Sequence, residues 1–352
     1  MAKKRKRNKK IKKLMSVLAA VLIVAVVVCA AVIYLFSPVN ATDEKVYIKV
    51  ESGATLNEIA DALKENDLIR NTTIFKVYVH LRGAQNELKA GRYSFNTDMG
   101  TKELTDLLIE GQAGDTMLIT VREGLTVEQI AAYLEEEGLF SAQDFLDEEK
   151  NNFAYYKSQY AFLDTVPDDR EYPLEGYLFG DTYEIYTDAS PQDVIIKMLD
   201  GFDAIFKQEY YARCDELGMT VDEVVTMASI VEREGINDDE LPTIAGLYYN
   251  RLRDGWLLQS CATLQYIYKD YQFTFSESQM EIDSPYNTYK YAGLPAGPIS
   301  NFRVTALEAA LYPEDNDYYY MCSKNDGTGA NAFAETLAEH NANISKYSST
   351  WK

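Results

Sequence analysis

The uncharged run from Leu14 to Phe36 sets the first limit on what this chain can become. Its 23 positions carry no ionisable charge. At about 1.5 Å per residue a helix of that length crosses a hydrocarbon layer of roughly 30 Å. Nine basic residues stand directly before it: Lys3, Lys4, Arg5, Lys6, Arg7, Lys9, Lys10, Lys12 and Lys13. Such a cluster stays in the cytoplasm and places everything after Phe36 outside. The competing reading is a cleaved signal peptide, whose apolar stretch spans about 7–15 residues. The greater length here favours a retained anchor, while Val39-Asn40-Ala41 keeps a cleavage site open. An anchor excludes a freely soluble cytoplasmic protein.

Charge then narrows the partners. The 352 residues carry 34 Lys+Arg and 55 Asp+Glu, a net charge of −21, and all but 25 of the basic residues lie before position 37. So acidic an outer part repels phosphate backbones, which removes nucleic acid as a partner. With 47% apolar residues the chain can bury a core, and its length suits about two domains. Beyond Cys29 in the apolar run, the cysteines are Cys214, Cys261 and Cys322, with no Cys-x-x-Cys and only two histidines, His80 and His340. That pattern supports neither a disulfide framework nor a structural zinc site. There is no P-loop and no Gly-x-Ser-x-Gly elbow, and no metal or organic cofactor is implied.

After a short polar linker at 37–45, the segment beginning at Ile48 recurs 71 residues later at Ile119, with nine of 21 positions between 48 and 68 identical. Each copy alternates apolar and polar residues, turns at a glycine, and meets a capping pair, Thr55/Glu58 or Thr126/Gln129. This predicts a strand running into an amphipathic helix, with Ile59 and Leu63, or Ile130 and Leu134, on the buried face. A returning strand at Gly91–Phe95 and a helix near Thr101–Glu110 would complete the first copy. A module of this kind resembles the LysM-like domain that grips glycan chains. The alternative is a strand–helix packing unit without a ligand.

Thr220–Glu234 is the clearest helix further on, with a Thr220/Glu223 capping box, an apolar stripe of Val224, Ala228 and Val231, and Gly235 as its stop. At 100° per residue, Glu232 lies on the flank of that stripe, near the direction of Val225 and Ala228. Partial burial and the negative end of the helix dipole would both raise its pKa, as a general acid requires. The alternative is a surface ion pair with Arg233. The loop Asp283–Ser300, with Pro285, Pro295 and Pro298, is long enough to line a site.

Met227-Ala-Ser-Ile-Val-Glu-Arg-Glu234 resembles the catalytic helix of the endolytic murein transglycosylases, the YceG-like family. Further family segments follow in order: Glu175–Tyr183, Tyr249–Leu252 with Leu258-Gln259, Ser284–Tyr289, Gly293–Pro298 and Thr336–Asn341. The resemblance covers roughly residues 46–347. It implies an α+β protein: a basic tail at 1–13, a transmembrane helix at 14–36, a linker at 37–45, a small LysM-like α+β module at 46–115, and a larger mixed α+β transglycosylase domain at 116–352. It also implies cleavage between N-acetylmuramic acid and N-acetylglucosamine within peptidoglycan strands, leaving a 1,6-anhydro end. Glu232 matches the family's catalytic glutamate, and Gln259, Asn287, Thr288 and Tyr289 match segments that line its cleft. Asn250 and His340 are motif-bound with either a binding or a structural role, and Asn341 reads as structural.

Three positions depart from the family's pattern. Cys261 stands where Asp is usual, Asn331 where His is usual, and Phe302-Arg303 where Pro-Gly is usual. The leading expectation is an anchored lytic transglycosylase that trims or terminates new glycan strands, with wall-synthesis enzymes as further partners. The departures motivate a second one, a catalytically weakened glycan-binding scaffold. A third, a hydrolase acting through water, would leave a reducing end.

Overall fold

A computed structural model describes residues 15, 18, 22–27, 30–31, 33–39, 44–51, 53–111, 116–272 and 274–348. The whole basic tail at 1–13, part of the 14–36 run and residues 40–43 of the linker lie outside these residues. Among the described residues no helix is long and apolar enough to cross a membrane. Residues 22–27 and 33–36 are nonetheless helical, and Leu22, Ile23, Val24, Val26, Val27 and Ile33 are each more than 60% exposed. Nothing in the described chain covers these apolar side chains.

The described chain divides into two compact units, one reaching Thr116 and taking in Tyr186–Asp188, the other formed by Met117–Ile185 and Ala189 onward. In the first, the strand Lys45–Val50 pairs antiparallel with Gly91–Asn96, Ile48 opposite Tyr93. Three helices, Leu56–Glu65, Thr72–Leu81 and Thr101–Glu110, cover that hairpin. Its core joins Ile48 and Val50 to Ile59, Leu63, Phe75, Val79, Phe95 and Leu104. Thr55 and Glu58 form the reciprocal cap, Glu58 N–H donating to the Thr55 hydroxyl at 3.3 Å and Thr55 N–H to Glu58 at 2.6 Å.

The second copy of the repeat opens the second unit. Strand Thr116–Thr120 leads into helix Val127–Glu136, capped the same way by Thr126 and Gln129. Its strand partner is Thr182–Tyr186, and a third two-stranded sheet pairs Tyr320–Ser323 with Asn331–Ala334. The rest combines helices gathered around Val221–Glu234 with long irregular stretches, among them residues 281–303.

That central helix starts at the Thr220/Glu223 capping box, as the sequence predicts. Its burial exceeds the expected stripe: all ten residues from Val221 to Ile230 save Glu223 are buried, and so is Val231. Helices Leu241–Arg253 and Val304–Leu311 pack on it and on each other. Each fully buried Val or Ile contributes roughly 1.5–3 kcal/mol. Asp222 is held inside by the Arg170 guanidinium at 2.8 and 2.5 Å and by the Tyr177 hydroxyl at 2.9 Å. Gly235 follows as the first non-helical residue, with an extended backbone, and it lies close under two neighbouring side chains. A Cβ there would lie 2.3 Å from Leu241 Cδ2 and 2.9 Å from Ile244 Cδ1.

Candidate active site

The end of the central helix carries two glutamates two residues apart. Two steps of 100° turn side chains nearly to opposite sides of a helix, and the two carboxylates do diverge. Glu234 lines a cleft of about 590 Å³, together with Gln259, Cys261, Tyr289, Asn331 and His340. The Ser260 hydroxyl donates to Glu234 Oε1 at 2.5 Å. Glu232 is not among the cleft-lining residues. Its side chain is 9% exposed, and Arg303 holds both oxygens, Nε at 3.1 and 2.9 Å and the backbone N–H at 3.0 Å. Burial raises the Glu232 pKa above its ordinary value, with Arg303 pulling the other way.

Arg233 does not pair with Glu232 either. It donates to Gly124 O at 3.0 Å, to the Tyr271 hydroxyl at 2.8 Å and to Gln265 at 3.1 Å, and its guanidinium lies over the Tyr271 ring. The expected surface ion pair is replaced by a cation spanning the cleft edge.

Of the four residues expected to hold substrate, Gln259 and Tyr289 line the cleft. Asn287 and Thr288 are each 1% exposed and sit behind it. Asn287 donates to Met280 O and Ile282 O at 2.8 Å, and its Oδ1 receives the Tyr289 N–H at 3.0 Å. Thr288 Oγ1 accepts from Ser260 N–H at 3.1 Å and meets Thr263 Oγ1 at 2.9 Å, while Thr288 O receives Gln259 N–H. These two side chains therefore orient the residues in front of them: Asn287 sets Tyr289, and Thr288 sets the Ser260 that bonds Glu234. Gln259 has φ 51°, a left-handed conformation that a side chain adopts at a cost of about 1 kcal/mol or more. Such strain clusters where a side chain must be aimed.

Asn250 is buried and donates to Asn316 O and Tyr318 O, a loop tie. His340 lines the cleft, stacked on Tyr320 at 5.1 Å, and burial lowers its pKa. Asn341 is exposed on the last helix.

The departures now have places. Cys261 opens the helix Cys261–Tyr268 with its sulfur 3.0 Å from the Tyr289 hydroxyl, and burial raises its thiol pKa. Asn331 donates through its backbone and side chain to Glu240. Among the described residues no group of His, Cys, Asp and Glu is arranged to hold a metal ion.

The residue pattern did not reveal Glu234, because direction was measured from a buried stripe. The helix is buried nearly all round, so a residue's distance from that stripe says little about which side faces open space. The signal lay in partners far along the chain: Ser260 stands 26 residues away and Thr288 28 beyond that.

The chain is 34% identical over 323 residues to the endolytic murein transglycosylase of Bacillus subtilis, covering 90% of this chain and 89% of that one. It is 30% identical over 336 residues to the endolytic murein transglycosylase of Streptococcus pneumoniae, spanning 60% of that longer protein. The crystal structure of a YceG-like protein from Listeria monocytogenes superposes with a TM-score of 0.58 at 32% identity, over 85% of this chain and 98% of the other. The YceG-like family profile matches residues 48–346, and with relatives this similar over most of its length the chain belongs to that family.

Proposed function

We propose that this protein is a membrane-anchored endolytic transglycosylase that cuts peptidoglycan glycan strands between N-acetylmuramic acid and N-acetylglucosamine, leaving 1,6-anhydro ends. The observation that carries the reading is the cleft in which Glu234, fixed by Ser260, faces Gln259 and Tyr289. A general acid must come within hydrogen-bond reach of the leaving oxygen. Glu234 has the open side. Glu232, the residue expected from the motif, has both oxygens engaged by Arg303. We therefore assign the acid to Glu234.

The reaction needs one carboxyl group. Ordinary glycosidases use two, because an outside nucleophile or water must be activated as well. Here the muramic acid's own 6-hydroxyl attacks its anomeric carbon, and the ring holds the two together, so effective concentration replaces an external water. Glu234 donates its proton to the glycosidic oxygen as the C1–O bond breaks. As a carboxylate it then takes the proton of the 6-hydroxyl as the new C1–O6 bond closes. Gln259 supplies amide contacts and Tyr289 a face and hydroxyl to neighbouring sugars.

Support for the anchor comes from the nine-lysine-and-arginine start and the exposed apolar helix at 22–27; in this reading the residues after 36 lie outside the cell, with glycan strands as partner. Residues 46–115 serve in this reading as a LysM-like glycan-gripping module, and 116–352 as the cutting domain. Trimming or ending new strands beside wall-synthesis enzymes is the role that position suits.

Full-length protein in detergent, incubated with purified glycan strands, should release fragments one water lighter at the new end than hydrolysis would give. Glu234→Gln should lower kcat by roughly 10²–10⁴-fold. Undiminished release by Glu234→Gln would remove it from the mechanism. Binding of strands without any product would favour the scaffold reading suggested by Cys261 and Asn331, and a reducing end would favour hydrolysis.

A further inference from the structure

Arg303 makes more bonds than neutralising one glutamate requires. Besides gripping both oxygens of Glu232, it donates through one terminal nitrogen to Gly235 O at 2.8 Å. Through the other it reaches Asp238 Oδ1 at 2.6 Å and Ile236 O at 3.3 Å. Gly235 and Ile236 follow directly on the central helix, where carbonyls are left without intrahelical donors and the dipole favours a cation. Its own backbone N–H, at the start of helix Val304–Leu311, closes on Glu232 Oε2. One side chain therefore fastens the last turn of the helix, the two residues that leave it, and the start of the neighbouring helix.

The strap leading to Arg303 is fixed independently. Ile299 N–H donates to the Ser229 hydroxyl at 3.0 Å. The Asn301 amide bridges Leu125 N–H, Arg122 O and Leu178 O at 2.8–3.2 Å. Phe302 is 1% exposed and packs against Phe202. Arg303 thus projects from a rigid base, and Glu232 is the point it holds. Glu234 lies in the same final turn, on the side that faces the cleft.

We infer that the Arg303–Glu232 pair is a positioning device that sets the helix end and so aims the Glu234 carboxyl at the bond to be cut. This rests on the assignment of the acid to Glu234. It explains why Phe302-Arg303 can replace the usual Pro-Gly, since the strap now supplies a fork that a glycine lacks. It also gives Glu232 a role other than proton transfer. Geometry at this level controls rate steeply, since a misplacement of about 1 Å can cost around 100-fold.

The test uses full-length protein in detergent with purified glycan strands, measuring kcat, KM and melting temperature for Arg303→Gln, for Glu232→Gln and for the double variant. Arg303→Gln should lower kcat by about 10- to 100-fold with KM within twofold, and should lower the melting temperature by leaving Glu232 buried without its partner. The double variant removes both charges, so its melting temperature should recover while its kcat stays low. That separation is what a merely structural pair would not give. Wild-type kcat in Arg303→Gln, or recovery of kcat together with melting temperature in the double variant, would overturn the inference. If Arg303→Gln does not fold, the double variant decides: wild-type kcat overturns it and a depressed kcat sustains it. Glu234→Gln, run in parallel, tests the acid assignment separately. Activity surviving there refutes that assignment whatever Arg303→Gln does.

Discussion

Glu175→Gln should flatten the pH dependence of this protein's stability. Glu175 is 1% exposed, and its carboxyl receives Val127 N–H at 3.1 and 3.3 Å and the Tyr266 hydroxyl at 3.2 Å. Burial pushes its pKa up to about 8, with the nearby Glu149 pushing the same way. Glu149 is 0% exposed and also raised by burial to about 8. A carboxyl whose folded pKa lies above its unfolded value keeps its proton in the folded state while the unfolded chain loses it. Stability is then full below about pH 4.5 and is lost as pH rises towards 8, at about 1.4 kcal/mol per pH unit per group. From pH 5 to 7 Glu175 alone accounts for roughly 2–3 kcal/mol, or about 5–10 °C in melting temperature for a domain of this size. Glutamine matches the protonated acid in shape, keeps an acceptor for Val127 N–H, and has no proton to lose. Calorimetric melts of both proteins at pH 5, 6, 7 and 8 would show the variant's slope shallower by that share. Because the two carboxyls interact, the remaining slope belongs to Glu149 as it titrates without its neighbour's charge. Parallel curves for the two proteins would refute the reasoning.

Removing Asp222 should be costly. Asp222→Ala leaves the 3%-exposed Arg170 side chain without its ion partner, and denaturant unfolding should record a loss of about 3–5 kcal/mol; less than 1 kcal/mol would show that the pair relaxes into solvent. Gln259 offers a paired comparison, because Gln259→Ala and Gln259→Gly both remove the cleft-facing amide and should raise KM alike. At φ 51° the glycine variant should be the more stable by about 1 kcal/mol in thermal melts, and the reverse order would mean that the backbone there is not held left-handed.

How far the residue pattern alone reached depended on the range of the interactions. The duplicated strand–helix segment, its two capping boxes, and the Thr220/Glu223 start of the central helix are written within a few residues, and the structure reproduces each one. Gly235 as a stop was also legible, and the structure adds that Leu241 and Ile244 lie where a side chain at 235 would begin. The cleft was not legible in detail, because it forms where Glu234, Gln259, Tyr289 and Asn331 come together from distant stretches of the chain. Motif membership picked out Asn287 and Thr288 as substrate contacts, whereas both are buried and neither lines the cleft. Periodicity had no means of showing that they stand behind Gln259 and Tyr289 as supports. Arg303 was marked as a departure, and only its six bonds reveal what it holds.

The opposed glutamates at the end of one helix impose a counting rule on the gene. Thr220 fixes where the spiral begins, and Glu232 and Glu234 sit twelve and fourteen positions later. Inserting or deleting a single codon between them turns everything downstream through about a quarter circle. It would swing the blade away from the groove and pull the rivet from its hole together. Connecting segments that bond neither to the cleft nor to the strap carry no such penalty, so length can vary there while the interval from Thr220 to Glu234 stays locked.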